Sequence, residues 1–223
     1  MQGNYAGIAP YLISPLEALQ GVSGVTVNFA PGIIGSSSSN ITNMTAVAAA
    51  AEDSDVILFI GGIDNSIEAE AMDRVTITWS DAQISIIDAL AQYKKPFAVF
   101  QMGGGQIDSS FIKKNKNIGS LVWGGYPGMF FLCLHKKPTY ISAGQSGGQA
   151  LIDIAFGKVA PAGRLVSTQY PANYVNEVPM TDMALRPSNG TGNTTSSPGR
   201  TYSWFPNPVY PFVSQSKPEF KHF

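Results

Sequence analysis

Residues 56–62 read VILFIGG, an apolar run that ends in two glycines. A continuous apolar run of this length is typical of a strand that is buried on both faces of a parallel sheet. The pattern returns twice along the chain, as PFAVFQMGGG at residues 96–105 and as IGSLVWGG at residues 118–125. Strands that end in glycine-rich loops and alternate with helices predict an open α/β sheet, whose ligands bind at the carboxyl ends of the strands.

Helices are predicted between these strands from apolar spacing and from capping residues. The apolar spacing indicates helices near residues 16–19, 45–52, 84–93 and 150–155, the last ending at Gly157. Residues 25–29 alternate between apolar and polar and therefore predict a further strand. The capping residues that the sequence indicates are Asn43 or Thr42, Ser80 with Gln83, and Ser146 with Gln149.

The composition excludes several classes of function. The 223 residues carry a net charge of −1, which argues against nucleic-acid partners, and no apolar run is long enough to span a membrane. The chain has one cysteine, Cys133, and two histidines, His135 and His222. A single cysteine cannot form a disulfide framework, and these three residues are too few for a typical zinc site. We therefore expect no metal and no cofactor.

From the residues at the start of the sequence we expect no signal peptide, yet four Asn-X-Ser/Thr tripeptides occur in polar segments. Several such tripeptides in one chain favour a secretory history more than any one of them alone. The candidate N-glycosylation sites are Asn40, Asn43, Asn189 and Asn193.

The loop after the first predicted strand holds the candidate chemistry. Residues 61–74 read GGIDNSIEAEAMDR, and four of the 15 acidic residues of the chain lie between positions 64 and 73. One interpretation is carboxylate chemistry, with one Glu as the proton donor and with Asp73 and Arg74 holding the loop. The other is a solvated acidic loop that leads into a helix. The residues alone leave both open.

The glycine-rich loop at residues 103–105 raises the alternative of a nucleotide-binding domain. No Lys-Ser/Thr follows these glycines, and their spacing is not that of a dinucleotide-binding fingerprint. A tight strand-to-helix turn, with Asp108 or Ser109 as the cap, is the favoured interpretation.

Five longer motifs together resemble one known family, the fungal β-xylosidases of glycoside hydrolase family 3. They are GGID at 61–64 leading to Asp73-Arg74, QMGGGQ at 101–106, WGGYPG at 123–128, QSGGQA at 145–150 and GKVAPAGRL at 157–165. The resemblance implies the C-terminal α/β sandwich domain of that family over residues 1–212. Its sheet is open, mostly parallel and six-stranded, with helices on both faces.

The resemblance also implies a site. In the family a Glu that stands three residues before the Asp-Arg pair is the general acid/base, which places this role on Glu70, with Glu68 as the runner-up. Asp64, Asp73 and Arg74 would support the loop. An N-terminal barrel domain, which precedes the sandwich in the family, supplies the nucleophile.

The implied activity is that of a retaining exo-β-1,4-xylosidase, which removes xylose from xylo-oligosaccharides or aryl xylosides and works outside the cell. We expect this chain to be inactive by itself, because one carboxylate cannot carry out a double displacement. The alternative is a non-catalytic fragment that serves only as a partner-binding or sugar-binding module.

Two segments depart from the family pattern. Residues 129–144 interrupt the step from Tyr-Pro-Gly to Gln-Ser-Gly-Gly, and residues 213–223 replace a glycine-rich motif. We expect residues 129–144 to derive from an intron left unspliced in the gene model. We expect residues 213–223 to be a second splicing or reading-frame artefact. Cys133, His135 and His222 all lie in these two segments.

Overall fold

A computed structural model of the chain describes residues 10–35, 40–41, 43–126, 145–161, 164–190 and 196–212. Three strands, β1 (Ile57–Gly62), β2 (Phe97–Met102) and β3 (Ser120–Gly125), form a sheet in the order β1-β2-β3. Both pairings are parallel. The predicted parallel sheet at the three apolar runs is therefore confirmed. The helices are α1 (Pro15–Gln20), α2 (Met44–Glu52), α3 (Asp81–Ala91), α4 (Ser110–Lys114), α5 (Gly147–Ala155), α6 (Tyr174–Glu177) and α7 (Thr201–Trp204).

The central strand β2 is buried on both faces. Phe97 and Val99 belong to a cluster with apolar side chains of α2, α3 and α4, whereas Ala98, Phe100 and Met102 pack with Leu151 of α5. Successive side chains of a strand point to opposite faces, so helices cover the sheet on both sides. This double burial explains why the sequence of β2 shows no polar alternation.

Helix α3 begins as predicted, but one of its capping residues has another role. The Ser80 hydroxyl accepts a hydrogen bond from the backbone N–H of Gln83, as an N-cap should. The Gln83 side chain does not return to the cap. Its Oε1 accepts from the Gly62 N–H at 2.7 Å, and its Nε2 donates to the Gly62 carbonyl at 2.8 Å. Gln83 thus joins α3 to the end of β1.

Helices α1 and α5 pack together on the other side of the sheet. A Cβ atom at Gly148 would lie 2.3 Å from the backbone carbon of Ser14, so only glycine permits this close approach.

The predicted capping box of α5 is wrong. The Ser146 side chain makes no capping bond, and Gln149 donates to Asp153 instead.

The expected count of six strands is wrong for the residues that the structure describes, which contain three. Residues 25–28 alternate in burial as the pattern predicts, but Phe29 is exposed, and the segment joins no strand among the described residues. The Asn28 side chain attaches this segment to the Asp53 carbonyl and the Ser54 hydroxyl. One-sided burial produces the alternation, while a strand also needs a neighbouring backbone to bond with.

The C-terminal third folds back onto the loop after β2. Gln106 exchanges two hydrogen bonds with the backbone of Tyr170, and Asp108 accepts from the N–H of Ala172. Tyr170, Tyr174 and Phe205 pack ring against ring, which holds the excursion together. Residues 129–144 and 213–223, and with them Cys133, His135 and His222, lie outside the described residues.

Candidate functional site

The carboxyl ends of the three strands bring three loops to one edge of the sheet. The acidic loop follows β1, residues 103–106 follow β2, and Tyr126 follows β3. This edge is where open α/β sheets bind their ligands. Gln83 fixes the start of the acidic loop, because its side chain bonds to both polar backbone groups of Gly62. Gly62 has a φ of 132°, a conformation that suits glycine.

Glu70 lies at the tip of a tight turn in this loop. The backbones of Ala69 and Met72 exchange two hydrogen bonds of 3.0 Å, which leaves Glu70 and Ala71 as the two central residues. Ala71 has a φ of 59°, which is uncommon for a residue with a side chain. The Glu70 side chain is exposed and has no hydrogen bond or ion pair among the described residues. Nothing in the described structure therefore hinders its reaching a ligand beyond the edge of the sheet.

Glu68 is held quite differently. Its Oε2 accepts a hydrogen bond from Arg74 Nε at 2.7 Å, within an ion pair whose side chains are 26% (Glu68) and 12% (Arg74) exposed. Arg74 Nη2 also donates to the Gln106 carbonyl at 2.9 Å. This arrangement, which we call the arginine clamp (Glu68, Arg74 and the Gln106 carbonyl), joins the loop after β1 to the loop after β2.

Two residues that the sequence did not single out as site residues complete this edge. A Cβ atom at Gly105 would lie 2.2 Å from Glu68 Oε1, so a side chain there would displace the carboxylate of the arginine clamp. The ring of Tyr126 covers Gly104, where a Cβ atom would lie 2.3 Å from the ring. Burial raises the pKa of the Tyr126 hydroxyl, and the nearby negative charges of Glu68 and Asp64 raise it further.

The other predicted loop residues lie on either side of the clamp. Asp64 Oδ1 accepts from the backbone N–H of Ser66 at 2.8 Å, and the Asp64 carbonyl accepts from the N–H groups of Ile67 and Glu68. Asp64 therefore shapes the beginning of the loop. Asp73 is exposed and has no partner among the described residues.

Three of the four candidate glycosylation sites lie within the described residues, namely the exposed Asn40, Asn43 and Asn189. Asn43 caps α2 through its Oδ1, which accepts from the Ala46 N–H. Asn193 lies outside the described residues.

Sequence reasoning placed the acidic cluster at the correct end of the sheet but could not see its internal pairing. The sequence does not distinguish Glu68 from Glu70, since each is flanked by small or apolar residues. The glycine at position 105 was the only available signal for the arginine clamp, because a run of three glycines indicates a close approach.

Across the described residues, no group of three or more His, Cys, Asp or Glu side chains could hold a metal ion, and no helix is long and apolar enough to cross a membrane.

The fold and this edge define an α/β domain with a carboxylate-bearing loop at the carboxyl edge of its parallel sheet. The sequence profile of the glycosyl hydrolase family 3 C-terminal domain matches residues 1–130. The chain therefore belongs to glycosyl hydrolase family 3. This confirms the family that the sequence motifs indicated.

Curated relatives extend the match to nearly the whole chain. The chain is 54% identical over 213 residues to a probable exo-1,4-beta-xylosidase, xlnD, of Aspergillus fumigatus, which covers 95% of this chain and 24% of that protein. It is 49% identical over 213 residues to the exo-1,4-beta-xylosidase xlnD of Emericella nidulans, with the same shares covered. The chain thus spans about a quarter of the length of these relatives.

Solved structures agree with these matches. A family 3 exo-beta-xylosidase, XlnD, in complex with a xylobiose aziridine activity-based probe, is 49% identical and superimposes with a TM-score of 0.79 over 94% of this chain and 25% of that one. A β-glucosidase from Erythrobacter marinus is 22% identical, with a TM-score of 0.65 over 94% of this chain and 28% of that one, and shows a shared fold alone.

Proposed function

We propose that this chain is the C-terminal α/β domain of a retaining exo-β-1,4-xylosidase, in which Glu70 is the general acid/base. The observation that carries the proposal is the 54% identity over 95% of the chain to a protein described as an exo-1,4-beta-xylosidase. In the structure, the same chain presents an acidic loop at the ligand-binding edge of a parallel sheet. The substrates would be xylo-oligosaccharides or aryl xylosides, and the wider role would be xylan degradation.

The contacts of the two Glu side chains support Glu70 over Glu68. A general acid must carry a proton that it can deliver to the leaving oxygen. On Glu68 such a proton would compete with the Arg74 N–H for the same carboxylate. Glu70 has no such competitor among the described residues and extends from the tip of a turn.

The proposed mechanism divides the work between two domains. Glu70 first donates a proton to the glycosidic oxygen while a nucleophilic Asp, supplied by the N-terminal barrel domain, attacks the anomeric carbon. Glu70 then takes a proton from a water molecule that releases xylose from the enzyme. The arginine clamp holds the loop during both steps, and Gln83 fixes the start of the loop.

The cellular setting follows from the same lineage. We propose that the intact protein acts outside the cell and carries N-linked glycans, with Asn40, Asn43 and Asn189 as acceptors that are exposed in the structure and with Asn193 as a fourth candidate. Asn43 would keep its capping bond, because glycosylation modifies Nδ2 and leaves Oδ1 to accept from Ala46.

A chimeric enzyme tests the assignment of Glu70. The 213-residue matched segment of the Aspergillus fumigatus relative is replaced by the corresponding residues of this chain, and Glu70→Gln is compared with Glu68→Gln. On xylobiose, Glu70→Gln should lower kcat/KM by about 10²–10⁴, the usual contribution of general acid–base catalysis. On an aryl xyloside with a good leaving group, Glu70→Gln should lower the rate at which the covalent intermediate forms much less, because that leaving group needs no protonation.

Glu68→Gln serves as the matched control. It weakens the arginine clamp, so its effect should be similar for both substrates. A loss that depends on the leaving group in Glu68→Gln, but not in Glu70→Gln, would assign the role to Glu68. Incubation of the 223-residue chain by itself with an aryl β-xyloside should give no turnover, and turnover that Glu70→Gln abolishes would contradict the need for a second domain.

The alternative, a stand-alone module that only binds a partner or a sugar, is not favoured. The relatives that match over nearly the entire chain are described as xylosidases. Activity of the chimera would argue directly against that alternative.

A further inference from the structure

A short loop near the C-terminus begins at a fixed pair of backbone groups. The backbones of Ser188 and Ser197 exchange two hydrogen bonds, of 3.0 Å and 2.9 Å. Ser197 is buried, at 5% exposed, and its hydroxyl accepts from the Gly199 N–H at 3.2 Å. Asn189 and Gly190 follow this pair directly. They are therefore the first residues of the loop beyond the point at which its backbone is held.

Asn189 and Gly190 combine features that favour a reaction between them. The Asn189 side chain is exposed and has no hydrogen-bond partner among the described residues. Within the same part of the chain, the Gly190 N–H donates to no acceptor. Gly190 has a φ of 67°, and it carries no Cβ atom that would crowd its backbone nitrogen. A side-chain amide and the nitrogen that can attack it are thus neighbours, which is what an intramolecular reaction requires.

This combination occurs at one place in the sequence. No other asparagine of the chain is followed by glycine. At every other asparagine, the next residue carries a side chain beside the nitrogen that would have to attack. Asn176, an exposed asparagine of α6 that precedes Glu177, is an example. Exposure alone therefore does not select Asn189, whereas exposure together with a following glycine does.

We propose that Asn189 is a site of spontaneous deamidation, through a succinimide ring formed with Gly190. The Gly190 nitrogen attacks Cγ of Asn189, so that the N–Cγ bond forms and the Cγ–Nδ2 bond breaks. Nδ2 leaves as ammonia and takes with it the proton that the Gly190 nitrogen gives up. Water then opens the ring at one of its two carbonyl carbons, which leaves aspartate or isoaspartate at position 189. Both products add a negative charge, and isoaspartate also adds a methylene group to the main chain directly after the Ser188–Ser197 pair.

The nitrogen atom that leaves is also the atom that would carry a glycan. Asn189 begins an Asn-X-Ser/Thr tripeptide, and N-linked glycans attach to Nδ2. A glycan retains the nitrogen that deamidation removes, and deamidation leaves no amide to accept a glycan. The two modifications of Asn189 therefore exclude each other. This exclusion rests on the proposed extracellular setting, whereas the deamidation depends neither on that setting nor on the xylosidase assignment.

Peptide mass spectrometry of the unglycosylated 223-residue chain, produced in bacteria, tests the site. During incubation in mildly alkaline buffer, the peptide that contains Asn189 should gain about 1 Da, the difference between an amide and a carboxylic acid. Part of the product should be isoaspartate, which fragmentation by electron transfer distinguishes from aspartate. Gly190→Ala should slow the change at least about tenfold, because the new Cβ crowds the attacking nitrogen.

Asn176 is the internal control and should remain an amide throughout. An Asn189 that keeps its amide as long as Asn176 does would overturn the proposal, and so would an equal rate in Gly190→Ala. Aspartate without any isoaspartate would indicate direct attack by water on the side chain and would overturn the route through the succinimide.

The same chain, secreted by a eukaryotic host, tests the exclusion of the two modifications. Peptides that carry a glycan at Asn189 should keep their mass during the incubation, while the unglycosylated fraction of the sample should change as in the bacterial chain. Loss of the glycan at the rate at which the unglycosylated fraction loses ammonia would overturn the exclusion. Isoaspartate in the bacterial chain, with no glycan on the secreted one, would support the deamidation site while the proposed glycan at Asn189 fails.

Discussion

Replacement of Gln83 discriminates between a helix cap and a tertiary bond. The spacing of Ser80 and Gln83 indicates a capping box, whereas the structure shows the Gln83 side chain bonded to both polar groups of the Gly62 backbone. Gln83 is only 1% exposed, so Gln83→Leu leaves both groups of Gly62 buried without partners. Each unsatisfied group costs about 1–3 kcal/mol, so the expected loss of stability is about 3 kcal/mol.

Equilibrium unfolding in urea measures this loss. With a urea m-value of about 2 kcal/mol/M, the unfolding midpoint should fall by about 1.5 M. Gln92→Leu is the matched control, because Gln92 is exposed and, among the described residues, its side chain bonds only to the Asp88 carbonyl. The control should change stability by less than about 0.5 kcal/mol.

The variant Gln83→Glu separates the two interpretations most sharply. A capping box accepts Glu as well as Gln, and a carboxylate in the first turn is favourable, so that interpretation predicts no loss. Against Gly62, an ionised Glu cannot donate to the carbonyl. Its folded-state pKa should therefore be raised, and stability should be retained below about pH 4.3 and lost as the pH rises. Equal stability of Gln83→Glu and the unaltered chain at pH 7 would refute the reasoning.

Three further predictions concern the site edge and the helix that precedes β1. Gly105→Ala should displace the ion-paired carboxylate of the arginine clamp, since the new Cβ would lie 2.2 Å from it. The expected loss of stability in urea unfolding is about 2–3 kcal/mol. An unchanged midpoint would show that the clamp rearranges without loss of stability. Burial raises the pKa of Tyr126 above 10.0, so the unfolded chain loses this proton first and stability falls as the pH rises above 10.0. Tyr126→Phe should make the decline shallower. An identical dependence of stability on pH in the two proteins would contradict this. Lys95 Nζ donates to three backbone carbonyls at the end of α2, so Lys95→Met should cost about 1–2 kcal/mol by thermal or urea unfolding, whereas Lys94→Met should cost less than about 0.5.

Much of the sheet could be predicted from the sequence because burial on two faces leaves a local trace. A strand that contacts helices on both sides is apolar at nearly every position, and β2 is buried throughout with a single polar side chain, Gln101, which accepts a hydrogen bond from Ser109. Residues 25–29 show the limit of this inference. Their sequence alternates as that of a half-buried strand would, yet Asn28 attaches them by its side chain, and no strand pairs with them in the part of the chain that the structure describes. Whether a partner is present is a long-range property that no short pattern records.

The same distinction applies to the candidate site. The density of acidic residues between 64 and 73 and their place after an apolar run were both visible in the sequence. The choice between Glu68 and Glu70 required Arg74, six residues beyond Glu68, and the Gln106 carbonyl from another loop. A side chain that pairs across two loops has no characteristic spacing along the chain.

The sequence by itself therefore determined the class of fold, the edge of the sheet at which the acidic loop lies, and the family. These follow from the burial of whole strands and from motifs of several residues, both of which are local. Only the tertiary structure decided that Glu68 belongs to the arginine clamp, that Glu70 stands exposed at the tip of a turn, and that Gln83 bonds to Gly62. These roles depend on which segments meet in space, and hydrogen bonds between distant segments form only when the chain has folded.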